Sequence, residues 1–239
     1  MNFLAKCIGG SRMYNLHTEY SDIDYRGVYV NDDIGHILGL GKDHLEAKIE
    51  KNPEEKTEGA FFELRHFLSL LRKTNTMVLE ILFNKNWVEK TPVFDFVLHH
   101  KYELLDTDRF YKSLCGYMLN ESRLSFGERT GTLGSQRKVA LEKYGYSPKN
   151  VVNLLRLCRA GEIFFFTGEF PLTIDNEGVH GYLMDIKQNP AKHTIPELKV
   201  VIDSYQQRFE LAYKNKKVTY TFDESVANSI CRKIYSPYI

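Results

Sequence analysis

The chain has 239 residues, 43% hydrophobic and 13% aromatic, enough for one large core or two smaller ones and unlike a disordered composition. Lys and Arg total 32 against 31 for Asp and Glu, a formal net charge of +1, which excludes a bulk field for polyanions and confines any nucleic-acid surface to a local patch. Cys7, Cys115, Cys158 and Cys231 form no C-x-x-C or Cys/His ligand spacing, so no zinc is expected, and reduced thiols in a cytoplasmic protein are. The opening Met-Asn-Phe-Leu-Ala-Lys lacks the layout of a signal peptide, and no apolar run approaches the ~18 residues of a membrane span, so no membrane partner is expected either.

In chain order, Phe3 to Ile8 reads as a short strand ending at Gly9-Gly10, with Ser11 capping a helical turn from Arg12 to Leu16. Asp22 to Val30 alternates polar and apolar residues, the period of a half-buried strand, which puts Asp22, Asp24 and Arg26 on one face. Leu45, Ala47 and Ile49 alternate with charged residues, and Asn52-Pro53-Glu54-Glu55 reads as a hairpin turn into a returning strand from Lys56 to Phe61. The period then becomes helical: Phe61, Leu64, Phe67, Leu68 and Leu71 form a stripe in a helix ending at Lys73, and a second short helix is expected from Met77 to Phe83.

From Trp87 to Arg123 the reading is mostly helical, broken at Pro92. The glycines and basic residues of 125–147 suggest a mobile loop or a crossing between domains. Ser147-Pro148 starts a helix expected to end at or just past Gly161. Phe170 to Ile174 is a candidate strand, and helices are expected from Gly178 to Gln188, Pro196 to Asn215 and Asp223 to Tyr235. The division expected is a catalytic core over 1–90 and a mainly helical region over 91–239 that closes one side of a nucleotide cleft.

Two features carry chemistry. Asp22 and Asp24, at a spacing of two on a strand, project to one side and suit a hard divalent cation that keeps its other positions for phosphate oxygens and water. A solvated strand face is the plain alternative. Gly10-Ser11, between a strand and a helical turn, gives backbone N–H groups access to an anion; the lysine of a Walker motif is missing, and a simple tight turn is the competing reading. Together the two features favour metal-assisted phosphate chemistry.

These residues, Gly-Ser followed by Ser-Asp-x-Asp, resemble the signature of the DNA polymerase β nucleotidyltransferase superfamily. The fuller run Gly-Ser-Arg-x-Tyr-x-Leu, then Ser-Asp-x-Asp-x-Arg-Gly-Val, is similar to the RNA-repair-pathway polymerase-β family. Leu38-Gly39-Leu40, Asn75, Leu79-Glu80-Ile81-Leu82-Phe83, Gly145-Tyr146, Lys149 and Leu154-x-Arg156-Leu157 extend the similarity over most of residues 7–170. The resemblance implies an α/β (α+β) core with a small mixed sheet and a third carboxylate on a later strand. Glu58 is the choice by position, against Glu50, Glu54, Glu55 and Glu63. It further implies two Mg²⁺ or Mn²⁺ ions, an NTP co-substrate, and phosphate contacts from Gly10, Ser11, Arg12 and Arg26.

On the helix after Ser147, Lys149, Asn153 and Arg156 share a face. Lys149 and Arg156 are candidates for triphosphate charge, and Asn153 stands where the family has histidine. Arg12 and Arg26 could equally pair with Asp22 or Asp24, and Tyr14 reads as packing. The implied reaction transfers a nucleoside monophosphate to an acceptor hydroxyl and releases pyrophosphate. An RNA or DNA end, a protein hydroxyl and a small molecule are all open as acceptors, with RNA favoured by the family association. The competing functions are a nucleotide- or nucleic-acid-binding regulator without turnover and a metal-dependent phosphohydrolase.

Overall fold

The computed structural model describes residues 2–37, 47–128 and 134–238. They divide into two compact units, residues 1–110 with 219–239 and residues 111–218.

In the first unit β1 (Asn2–Gly9) runs into a one-turn helix α1 (Gly10–Met13), and β2 (Ile23–Val30) follows. The turn therefore begins at Gly10, with Gly9 as its cap, where the sequence suggested a Ser11 cap and a helix to Leu16. A short α2 (Ile34–Ile37) comes next, and Leu38-Gly39-Leu40 and Leu45 lie outside the described residues. β3 (Lys48–Asn52) and β4 (Thr57–Glu63) form the expected hairpin. The Asn52 side chain accepts from the backbone N–H groups of Glu54 and Glu55 at 3.1 and 3.2 Å, the local bond that makes Asn a turn residue.

α3 (Leu64–Arg72) starts three residues later than the stripe suggested, because Phe61 and Phe62 are still paired in β4. Glu63 caps it, accepting from Arg65 N at 2.8 Å. α4 (Thr76–Leu82) is capped by Asn75, which accepts from Met77 N at 2.9 Å. β5 (Trp87–Lys90) is a strand inside the stretch expected to be mostly helical; it pairs with β1 at the edge of the sheet. The sheet order is β3-β4-β2-β1-β5, with β2 and β4 parallel and the other pairs antiparallel, so the small mixed sheet is observed. α3 and α4 pack on it, burying Leu64, Phe67, Leu71, Val78, Leu79 and Ile81.

α5 (Phe94–His99) follows, and α6 (Thr107–Ser125) carries the chain into the second unit. The chain returns to the first unit with α11 (Glu224–Tyr235), after the second unit's helices α7 to α10. Asp223 caps α11, and its Tyr235 hydroxyl donates to Glu63, which has 0% exposure.

The second unit is helical. α7 (Ser135–Tyr144) occupies much of the stretch expected as a loop; it has no buried residue, so it shows no apolar stripe in the sequence, and residues 129–133 lie outside those described. α8 (Pro148–Thr167) starts after Ser147 as expected and runs on to Thr167, six residues beyond Gly161. Gly161 is inside the helix because α8 and α10 (Ile195–Lys214) approach there: a Cβ on it would stand 2.5 Å from the Phe209 ring and 2.8 Å from Leu114. Gly168, at φ +77, is the residue that ends α8. The segment from Phe170 to Ile174 is irregular and not a strand. α9 (Glu177–Gln188), α10 and α11 match the expected helices within two residues, with a full Thr194/Glu197 capping box on α10. No described helix is long and apolar enough to cross a membrane.

Candidate active site

The site is organised by one row across the sheet. Gly9 on β1 pairs with Asp24 on β2, Asp24 with Glu58 on β4, and Glu58 with Lys51 on β3. Paired residues project to the same side of a pleated sheet, so Asp24 and Glu58 are side-by-side carboxylates. Of the acids competing with Glu58, Glu63 is buried at the start of α3. Glu50 pairs with Gly59, one residue along and therefore on the opposite face, where it meets Lys48 at 3.2 Å. Glu54 and Glu55 are exposed on the hairpin turn.

Gly10 sits directly against this row. Its φ is +60, and a Cβ placed on it would lie 2.0 Å from Asp24 Oδ2, so both the backbone conformation and the close approach of the carboxylate require glycine. Asp22, exposed, immediately precedes β2, and the half-buried Asp24 lies inside it. The Arg12 guanidinium donates through Nη2 to the Ser21 carbonyl at 2.9 Å, tying the turn to the residue before Asp22.

Arg26 is on the Asp24 face but turns to a different partner. Its Nε stands 3.5 Å from Glu80 Oε2, and its Nη1 donates to its neighbour's carbonyl, Tyr25 O, at 3.0 Å. Glu80, only 7% exposed, also accepts from the Tyr14 hydroxyl at 2.6 Å. Tyr14 is thus packed, as expected, and also hydrogen-bonded. The three side chains join α1, β2 and α4 beneath the turn, and Gly9 leaves them room: a Cβ there would meet Arg26 Cγ at 2.7 Å and Glu80 Oε2 at 3.1 Å. Burial, and after it the Glu80 charge, pushes the neighbouring Cys7 thiol up to about 12. Sequence reading missed Glu80 as a site-supporting residue. Its one signal was a lone acid in the apolar run Val78 to Phe83, and its partners Arg26 and Tyr14 are far away in the chain.

The donor chemistry fits a hard divalent cation. Mg²⁺ takes oxygen ligands and commonly uses one or two protein carboxylates with phosphate oxygens and water. Asp24, its strand neighbour Glu58 and the adjacent Asp22 offer such oxygens. Among the described residues no three His, Cys, Asp or Glu side chains already form a closed ligand group, and Glu58 is engaged by Lys51 at 3.2 Å. Asp24 and Glu58 are neighbours by register.

In the second unit, Lys149 is exposed at the start of α8, and Arg156 donates to Asn153 Oδ1 through Nε at 3.1 Å and Nη2 at 2.7 Å. Asn153 holds the arginine's orientation.

The sequence profile of the RNA repair pathway DNA polymerase beta family matches residues 1–156, which include every one of these residues. A solved structure, a nucleotidyltransferase-like protein from Exiguobacterium sibiricum 255-15, is similar over 99% of this chain and 72% of its own, at 10% identity and a TM-score of 0.31. At that score the likeness does not define a shared fold. No curated protein matches the chain. With the profile covering well over half of its length, the chain belongs to the RNA repair pathway DNA polymerase beta family, a group of polymerase β-like nucleotidyltransferases.

Proposed function

We propose that the protein transfers a nucleoside monophosphate from an NTP to an acceptor hydroxyl in a reaction dependent on Mg²⁺ or Mn²⁺. The observation that carries this reading is the register of Asp24 with Glu58 beside the glycine turn that Asp24 requires. Asp22, Asp24 and Glu58 are the residues that would hold two divalent ions. Those ions, when bound, supply positive charge against the triphosphate and the leaving pyrophosphate.

The remaining work falls to the chain's own groups. Glu58 accepts the proton of the acceptor hydroxyl. The acceptor oxygen bonds to the α-phosphorus, the bond from that phosphorus to the bridging oxygen breaks, and pyrophosphate leaves with the electron pair. Gly10, Ser11, Arg12 and Arg26 line the turn as phosphate contacts, and Arg26 remains anchored by Glu80. Lys149 and Arg156 are further candidate phosphate contacts, tested by substitution. The rate then comes mainly from positioning and fixed charge. All four cysteines are free thiols, which supports a reducing compartment such as the cytoplasm.

Incubation with α-labelled NTPs, Mg²⁺ or Mn²⁺ and a panel of RNA ends, DNA ends, proteins and small hydroxyl compounds tests the proposal. Label should move to an acceptor, and Asp24→Asn should lower the rate by about a thousandfold or more, the several kcal/mol that metal-assisted charge stabilisation supplies. Saturable NTP binding without pyrophosphate release would indicate a regulator instead. Hydrolysis without an adduct would indicate a phosphohydrolase. Full activity of any kind in both Asp22→Asn and Asp24→Asn would remove these carboxylates from the reaction.

A further inference from the structure

The second unit carries a surface that the reaction above uses only at Lys149 and Arg156. α8 spans 20 residues, about 30 Å at the usual helical rise. Its charged residues are Lys149, Arg156, Arg159 and a single acid, Glu162. At 100° per residue, Arg156, Arg159, Ile163 and Phe166 fall within roughly a quarter-turn of one another on the side away from buried Leu154, Leu157, Phe164 and Phe165.

Glu162 does not offset this stripe. Both of its carboxylate oxygens accept from Arg208 Nη2, at 2.7 and 2.8 Å, so its charge is matched by a cation of α10. At the far end of the stripe Phe166 is 40% exposed, a large aromatic ring left facing solvent. Lys217 lies beside it: its backbone N–H donates to the Phe165 carbonyl at 2.9 Å, and its Nζ is 5.9 Å from the Phe166 ring centre. At the near end Lys187 is held below its usual range, first by burial and then by the charge of Lys149, which places two cations close together there.

A line of cations on a helix whose one acid is matched by Arg208, ending on an exposed ring, is the chemistry of a single-strand site: phosphates follow the charges and a base stacks on the aromatic face. A duplex offers no unstacked base to the ring, and an acidic protein surface would have no use for it. We propose that the α8 face bearing Arg159 and Phe166, together with Lys217, binds a single-stranded polynucleotide, with phosphates on the two cations and a base on Phe166. As the acceptor strand of the transfer reaction, this ligand rests on the reading of the previous section; its binding is measured without turnover.

The test is fluorescence anisotropy of the full chain with fluorescein-labelled single strands of about 12 nucleotides, within the span such sites cover, as RNA and as DNA. A matching duplex and anionic lipid vesicles serve as competitors. Salt-dependent binding is expected, weakened about tenfold by Phe166→Ala and restored by Phe166→Tyr. Arg159→Glu and Lys217→Glu should each weaken it and make the salt dependence shallower, each lost phosphate contact taking about 0.7 from the log–log slope. All three positions are at least partly exposed, and thermal melting confirms that the variants fold.

Preference for RNA, or equal binding of RNA and DNA, both support the single-strand site and separate its two sources. Absence of strand binding at low salt, binding unchanged in the three weakening variants, or competition by duplex or vesicles as strong as by single strand would overturn it. The two proposals fail separately: strand binding without NTP turnover would sink the transferase reading, and turnover without strand binding would sink only this surface.

Discussion

Glu80 and Glu162 are both glutamates on helices, both paired with arginine, and they show how differently the two units use charge. Glu80 is buried between α4, β2 and α1, where it accepts from Tyr14 and faces Arg26. Glu162 lies on the surface of α8 in a two-oxygen bond to a half-exposed Arg208. In the first unit acids are locked inside to fix the position of a turn and a strand, and Glu63 under Tyr235 repeats the device. Among the described residues of the second unit no charged side chain is fully buried. A buried pair specifies geometry and is costly to break, whereas an exposed pair contributes little and leaves its surroundings open to ligands.

The sharpest way to break this comparison is Glu80→Ala. It strands Arg26 and the Tyr14 hydroxyl, and equilibrium unfolding should show a loss of about 3–5 kcal/mol; a loss below 1 kcal/mol would mean the network does not hold the turn. Next comes pH. Burial raises the Cys7 and Cys158 thiols from 9.0 to about 12, and burial with the Glu63 hydrogen bond raises the Tyr235 phenol. Each group keeps its proton in the fold while the unfolded chain releases it. Their contribution is therefore complete below about pH 9 and is lost as pH rises, with each thiol adding up to about 1.4 kcal/mol per pH unit to the slope. Urea unfolding from pH 8 to 11 should show the decline, and Cys7→Ala should make it shallower.

Gly10→Ala is a smaller and more local probe. It should cost about 1–2 kcal/mol because of the positive φ and should lower turnover further by displacing Asp24, which separates it from a purely structural lesion. The smallest effect is expected from Glu162→Gln, less than about 1 kcal/mol by the same unfolding measurement. If it matched Glu80→Ala, the contrast between the units would be wrong.

What was legible in the sequence follows the same division. Strong local patterns were readable: the alternation of β2, the Ser147-Pro148 start of α8, and the run of glycine, serine and paired aspartates. β5 was not, because four residues on a sheet edge, with Val88 and Glu89 exposed, carry no useful period. α7 was not, because a helix that buries nothing has no stripe, and its flanking glycines read as loop. Gly161 read as a helix end, although its role is to admit the Phe209 ring. Glu58 could be chosen only by position in the chain, since its pairing with Asp24 is a fact of sheet register between strands 34 residues apart. Glu80 and Glu63 were invisible as network centres for the same reason: Tyr14 and Tyr235 meet them only after folding.

The most direct test of the central claim is to follow pyrophosphate release and the intact mass of each candidate acceptor in one reaction, with wild-type protein and Asp24→Asn side by side. The account predicts one pyrophosphate for each acceptor that gains a nucleoside monophosphate, and neither product with Asp24→Asn. Pyrophosphate or phosphate release with no acceptor adduct, or an unchanged adduct with Asp24→Asn, would contradict it.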